Sequence, residues 1–258
     1  MRPLSKAKLK FFAALQQKKY RHQHQSFLAE GIKLVQEVLQ SSFRLEAVVV
    51  RSDVSLDSSL NIPGEILFEA NKTDFQKLST QVHSEGIIAV VKFPPHPHFQ
   101  SLDQFSETIS SPTLVLEDLR DPGNLGTLIR TADWFGFQHL ICSQGTVDVY
   151  NPKVVRAAMG SLFRVRISYV KDFHDFLQNQ AANIWVADMG GAPIESVALP
   201  SKPMILLGNE ANGVSSRTLA LPGIERVTIP KIGQAESLNV GIAAGILVAH
   251  WQMQSFQP

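Results

Sequence analysis

Cys142 is the only cysteine in this 258-residue chain. An internal disulfide is therefore impossible, the stapled scaffolds of small secreted proteins are excluded, and a thiolate zinc site lacks its ligands. Long apolar runs are missing too: nothing approaches the roughly 18 to 20 residues that a bilayer-spanning helix needs, and the basic opening MRPLSKAKLKFF leads into no apolar signal segment. A cytoplasmic protein is expected. Neither Gly-x-Gly-x-x-Gly nor Gly-x-x-x-x-Gly-Lys-Ser/Thr occurs, and there is no Gly-x-Ser-x-Gly elbow. An ordinary dinucleotide site, a P-loop and an α/β-hydrolase all lack their signatures, so a ligand here is not gripped by its phosphates.

Acid is absent before Glu30, while Arg2, Lys6, Lys8, Lys10, Lys18, Lys19 and Arg21 supply seven cations. Residues 1–50 carry nine Lys/Arg against three Asp/Glu, residues 51–111 four against eight, and residues 112–258 eleven against twelve, so the net charge of +1 conceals a basic front end. A polyanion could dock there through phosphate contacts; a solvated helix face accounts for the same charges.

With 44% hydrophobic residues the chain can bury a substantial core. FLAEGIKLVQEVLQSS has near-helical apolar spacing, and LEAVVVRS, EILFEA and GIIAVVKF read as strands with a helix at TDFQKLST. Residues 1–93 are thus expected to form a compact α/β domain. Residues 94–111, rich in Pro, Ser, Gln and His, read as a linker in which His96 and His98 lack the partners of a metal site. From residue 112 to 258 strands and helices alternate, which implies a mostly parallel sheet with helices on both faces.

Ligands of such sheets sit beyond the carboxyl ends of the strands, and three polar loops are expected there. In EDLRDPGNLGTLIRTADWFG, Asn124 stands where a helix N-cap is favoured and Arg130 follows six residues on; a capped helix with an exposed Arg is the plainer reading. In MILLGNEANG, Leu207 and Gly208 close an apolar strand just before Glu210, in what is either a plain turn or a ligand loop. In IPKIGQAESLNVGIAAG, Ser237 or Asn239 can cap a helix whose Gly241, Ala243, Ala244 and Gly245 allow close packing, in the core or across a subunit interface.

These three motifs, in this order and spacing, resemble those of the SpoU/TrmH family of RNA ribose 2′-O-methyltransferases in the SPOUT superfamily, over about residues 113–250. The front segment KKYRHQHQSFLAEGIKLVQEVL is similar to the small L30e-like α/β domain that often accompanies it and binds RNA. The resemblance implies a C-terminal domain threaded as a deep trefoil knot, whereas general topology rules would have given an unknotted doubly wound sheet. It implies S-adenosylmethionine as cofactor, its adenine enclosed by backbone around Leu207, Gly208, Ile229 and Leu238. It also implies a homodimer acting on RNA, with ribosomal RNA ahead of transfer RNA, and no metal, since a sulfonium is already activated.

By the same resemblance Arg130 lies at the reacting centre, with Asn124, Glu210, Ser237 and Asn239 as polar groups around it. An arginine is almost always protonated, so Arg130 suits phosphate binding and alkoxide stabilisation better than proton abstraction. Asn124 and Asn239 would orient the ribose or Arg130, Glu210 would position Arg130 and substrate, and Ser237 would add a hydrogen bond. Two other readings stand beside this one: a non-catalytic RNA-binding factor on the same scaffold, and a Rossmann-type methyltransferase, against which the missing glycine fingerprint counts.

Overall fold

The computed structural model describes residues 1–57, 60–94, 99–100, 111–180, 184–198 and 201–255. His96 and His98, and most of the expected linker 94–111, lie outside the described residues. The chain divides into two compact units, one of Met1–His96 with Asp148–Phe163 and one of Pro97–Val147 with Arg164–Pro258. Among the described residues no helix is long and apolar enough to cross a membrane.

The first unit contains β1 (Arg2–Pro3), α1 (Lys6–Ala14), α2 (Lys18–His24), β2 (Ser26–Glu30), α3 (Ile32–Gln40), β3 (Leu45–Arg51), β4 (Leu67–Ala70), α4 (Lys72–Leu78) and β5 (Ile87–Lys92). The sheet order is β1-β4-β3-β5-β2, with β5 antiparallel to both of its neighbours. One face buries Leu28, Ala47, Val49, Ile88 and Val90 under Phe12 and Leu15 of the α1 segment and Phe75 and Leu78 of α4. The helix expected across FLAEGIKLVQEVLQSS begins only at Ile32. Phe27 to Ala29 are buried and pair with β5, and Gly31 at φ +116 breaks the two elements apart. A short run buried on both faces carries no periodicity to tell strand from helix.

The structure also divides the basic front end. Lys6, Lys8, Lys10, Lys18 and Lys19 are exposed on α1 and α2, whereas Arg21 is 2% exposed and paired with Asp148, so it is not available to a polyanion. Asp148 opens a segment that belongs to this unit and contains α6 (Pro152–Ala158).

The second unit contains β6 (Phe99–Gln100), β7 (Thr113–Leu116), α5 (Pro122–Trp134), β8 (His139–Ser143), β9 (Arg166–Val170), α7 (Phe173–Asn179), β10 (Ile184–Pro193), β11 (Met204–Leu207), α8 (Ser216–Leu219), β12 (Ile224–Thr228) and α9 (Val240–Ser255). The order is β12-β10-β11-β7-β8-β9-β6 and every described pairing is parallel, the mostly parallel α/β sheet that the alternation predicts. The central strands β11 (MILL) and β7 (TLVL) are almost wholly apolar, as expected of a parallel sheet covered by helices on both faces. Val115, Ile141, Val170, Val186 and Leu206 pack with Phe173, Phe176 and Leu177 of α7. Between α5 and α9, Thr127 meets Gly241, where a Cβ would lie 3.0 Å from Thr127 Cγ2, and Phe137, just after α5, meets Trp251 edge to face at 5.4 Å. Because β11 lies beside β7, the loops that follow these two strands become neighbours.

Candidate active site

Beyond β7 the chain runs through Glu117 and then Asp118, whose left-handed φ of 53° turns it sharply. The next amides face the loop after β11, where Glu210 accepts from Arg120 N at 3.1 Å and Asp121 N at 2.9 Å. The Asn124 side-chain amide donates to Glu210 at 3.1 Å, and its carbonyl oxygen accepts from Asn239 Nδ2 at 2.9 Å. Three loops thus contribute one hydrogen-bonded chain, Glu210–Asn124–Asn239. Burial pushes the Glu210 carboxyl up, but the donors Asn124, Asp121 and Arg120 outweigh it and hold it below the ordinary carboxylate range. An ionised carboxylate only accepts, so Asn124 must turn its NH2 toward Glu210 and its oxygen toward Asn239.

The sequence places the helix cap at Asn124, and the structure moves it to Asp121, whose Oδ1 accepts from Asn124 N at 2.8 Å. Proline carries a preset helical φ and no N–H, so Pro122 fits the first turn and the cap falls on Asp121, three residues before Asn124. The Asn124 side chain, released from capping, bridges two loops instead. Of the two candidate caps for α9 it is Asn239 that serves: its Oδ1 accepts from Gly241 N at 2.9 Å while its nitrogen reaches Asn124.

Arg130 lies farther along α5, exposed and without a hydrogen-bond or ion-pair partner among the described residues. Ser237 is exposed and equally unengaged. The structure therefore brings together Asn124, Glu210 and Asn239, and joins neither Arg130 nor Ser237 to them by a hydrogen bond.

Of the expected cofactor positions, Leu207 is buried at the end of β11, Ile229 is half-buried after β12, and Leu238 is exposed in the loop before α9. At Gly208 a Cβ would lie 2.2 Å from the Gly213 carbonyl carbon, and Asn209 and Gly213 exchange backbone hydrogen bonds of 3.0 and 2.9 Å. At Gly191, near the end of β10, a Cβ would lie 2.5 Å from the Arg226 carbonyl carbon on β12. Backbone meets backbone at both places. A side chain at either position would collide with main chain, so each loop is held by backbone packing.

Two supporting residues escape a reading from sequence. Asn209 donates to the Asp118 carbonyl at 2.8 Å, and Glu117, 6% exposed, accepts from Ser215 N at 3.1 Å, Ser215 Oγ at 2.6 Å and Thr218 Oγ1 at 3.0 Å. Together they fasten the Glu210 loop to the end of β7. Their signal, a polar pair directly after each strand, was visible; their partners were not.

Comparison with known proteins agrees with this geometry. Residues 111–249 match the SpoU rRNA methylase family and residues 6–89 match the MRM3-like substrate binding domain. The 23S rRNA (guanosine(2553)-2′-O)-methyltransferase of Bacillus subtilis is 30% identical and aligns over 94% of this chain and 95% of its own. The mitochondrial rRNA methyltransferase 3 of Xenopus laevis is 30% identical over 92% of this chain and 71% of its own. The crystal structure of an AdoMet-bound rRNA methyltransferase from Sinorhizobium meliloti superposes with a TM-score of 0.83 at 27% identity, covering 100% of this chain and 98% of that one.

Proposed function

The chain belongs to the SpoU rRNA methylase family, and from that premise we propose that it is an enzyme that methylates a ribose 2′-hydroxyl of ribosomal RNA, with S-adenosylmethionine as cofactor. The observation that carries this reading is the Glu210–Asn124–Asn239 chain at the carboxyl edge of a parallel sheet, beside loops packed backbone on backbone. The cofactor, when bound, supplies a methyl group on a sulfonium. Main-chain groups at Leu207, Gly208, Ile229 and Leu238 hold its adenine.

A protonated 2′-hydroxyl is a weak nucleophile, so the residues around it must align its oxygen and favour loss of its proton. Glu210 fixes the orientation of Asn124, and Asn124 with Asn239 positions the ribose. Arg130 contacts a phosphate and stabilises the developing alkoxide, and Ser237 adds a hydrogen bond to the same pocket. The exposed lysines of α1 and α2 hold the RNA backbone. A cytoplasmic setting and the trefoil knot of the family belong to the same reading; the sheet order, in which β10 lies between β11 and β12, supports the latter.

Calorimetry with S-adenosylmethionine and mapping of 2′-O-methyl sites in ribosomal and transfer RNA, with and without the gene, test this reading. Cofactor binding and the loss of one ribosomal site are expected. Absence of cofactor binding would favour a non-catalytic scaffold, and loss of a transfer RNA site instead would change the substrate.

The protein acts as a homodimer in this reading, with α5 and α9 forming the interface. Support comes from apolar side chains left in solvent on these two packed helices: Trp134 is 85% exposed, Ile242 56% and Met253 71%. Exposed apolar surface of this kind marks association. Ile242→Glu is expected to shift the protein to a monomer in sedimentation velocity; an unchanged sedimentation coefficient would place the interface elsewhere.

A further inference from the structure

A cavity of about 310 Å³ opens at the carboxyl ends of β7, β8 and β9, the side of the sheet away from β10 and β12. Glu117 and Asp118 form its floor, and Lys171, Asp172, Asp175 and Arg217 stand around its rim. The floor is fixed. Glu117 is held by Ser215 and Thr218, and Asp118 accepts from Ser143 Oγ at 2.6 Å while its own amide donates back to that oxygen at 2.8 Å. A side chain at Gly145 would put its Cβ 2.0 Å from Asp118 Oδ1, so this wall must stay bare. Strained backbone held in place from several sides, as at Asp118 with its φ of 53°, gathers at functional sites.

The rim is the reverse. Among the described residues Lys171, Asp172, Asp175 and Arg217 have no ion-pair or side-chain hydrogen-bond partner, although they share one cleft. Asp172 stands at the N-cap of α7 and does not cap it with its side chain. Two unengaged acceptors and two unengaged donors face the same space. A phosphate would satisfy the donors and be repelled by four carboxylates. A neutral planar ligand with paired donors on one edge and paired acceptors on another satisfies both sets. Of the four RNA bases only guanine has this pattern, N1–H and N2–H2 toward a carboxylate, O6 and N7 toward a guanidinium or ammonium.

We propose that this cleft receives a guanine of the RNA, within one nucleotide of the acceptor ribose, read by Asp172 on its N1–H and N2–H2 edge and by Arg217 on O6 and N7. The inference rests on the methyltransferase reading above. Its link to the active site is the 117–121 loop: Asn209 bonds the Asp118 carbonyl, and the adjacent Glu210 bonds the amides of Arg120 and Asp121. The volume suits one unstacked base, and extruded bases are read by this kind of edge hydrogen bonding.

The test uses the full chain and a transcript spanning the mapped methylation site. Inosine, which lacks the N2 amine, replaces each guanine within one nucleotide of the acceptor in turn. One replacement is expected to raise KM for the RNA by roughly tenfold with the wild-type protein. Asp172→Asn should raise KM similarly, leave S-adenosylmethionine affinity unchanged, and add little to the effect of inosine, because both changes remove the same contact. A site without such a guanine, or methylation indifferent to inosine, overturns the inference while leaving the methyltransferase reading intact. Failure to methylate any ribosomal or transfer RNA takes down that reading and this inference with it. The inosine arm needs no protein variant, so a misfolded Asp172→Asn cannot obscure the outcome.

Discussion

Arg130→Ala should abolish measurable methyl transfer, a fall of roughly 10²- to 10³-fold or more in kcat, while S-adenosylmethionine affinity and thermal stability stay at wild-type values. The magnitude is that of removing one preorganised group from a developing oxyanion. Stability should hold because Arg130 is exposed and engages no partner among the described residues, so its truncation leaves no buried group unsatisfied. Its chemistry limits its role. In the proposed role Arg130 acts through charge and geometry, since a guanidinium is a forked cation better suited to holding a phosphate and an alkoxide than to taking a proton. Arg130→Lys keeps the charge and loses the planar fork, and should recover only part of the rate. Single-turnover kinetics together with cofactor calorimetry separate the cases: near-normal turnover in Arg130→Ala sinks the assignment, and loss of cofactor binding or of folding makes the residue structural.

The alternation from Thr113 onward was legible because buried parallel strands are apolar runs and the helices between them carry their own caps and periods. The three loops were legible as a set: each alone has a plain structural reading, but three polar loops at one edge of a parallel sheet make a stronger signal than any one of them. Their connections were not. Asn124 reaches partners 86 and 115 residues away, and those contacts exist only because β11 inserts beside β7, a non-sequential neighbour that no local pattern announces. Asn caps helices well, which points locally to Asn124; the preset φ of Pro122 moves the cap to Asp121. Phe27 to Glu30 reads equally as helix or strand because the three buried residues Phe27 to Ala29 look the same in either conformation. That Lys171, Asp172 and Asp175 share a cleft with Arg217 depends on where α8 packs, which no local pattern announces. Nothing in the sequence marked Asp148–Phe163 as part of the first unit, since Asp148 finds Arg21 across 127 residues.

That pairing carries the largest expected effect on stability: Asp148→Ala should destabilise the first unit by about 3 to 5 kcal/mol. Arg21 Nε and Nη2 both donate to Asp148 Oδ2, at 3.0 and 2.6 Å, and Nη1 donates to the carbonyls of Leu15 and Gln16 at 3.1 and 2.8 Å. Asp148 Oδ1 accepts from Tyr150 N at 3.1 Å. The side chains are 3% and 5% exposed, so removing the carboxylate strands a guanidinium charge where water cannot reach it. The cost is that of the orphaned charge and not the net worth of the pair, which yields a contrast: Arg21→Met with Asp148→Leu, removing both charges, should lose much less than Asp148→Ala. The damage should be local at first. Tyr150 stacks on Phe93 at 4.0 Å and on Phe27 at 4.6 Å, and its backbone amide is held by the same carboxylate, so Asp148→Ala loosens the hold of the 148–163 segment on β2 and β5. Urea unfolding would give the free-energy difference, and hydrogen exchange would show residues 148–163 losing protection before the sheet. A single variant within about 1 kcal/mol of wild type, the range of exposed ion pairs, would mean that the pair is solvated in solution and that the aromatic stack alone retains the segment.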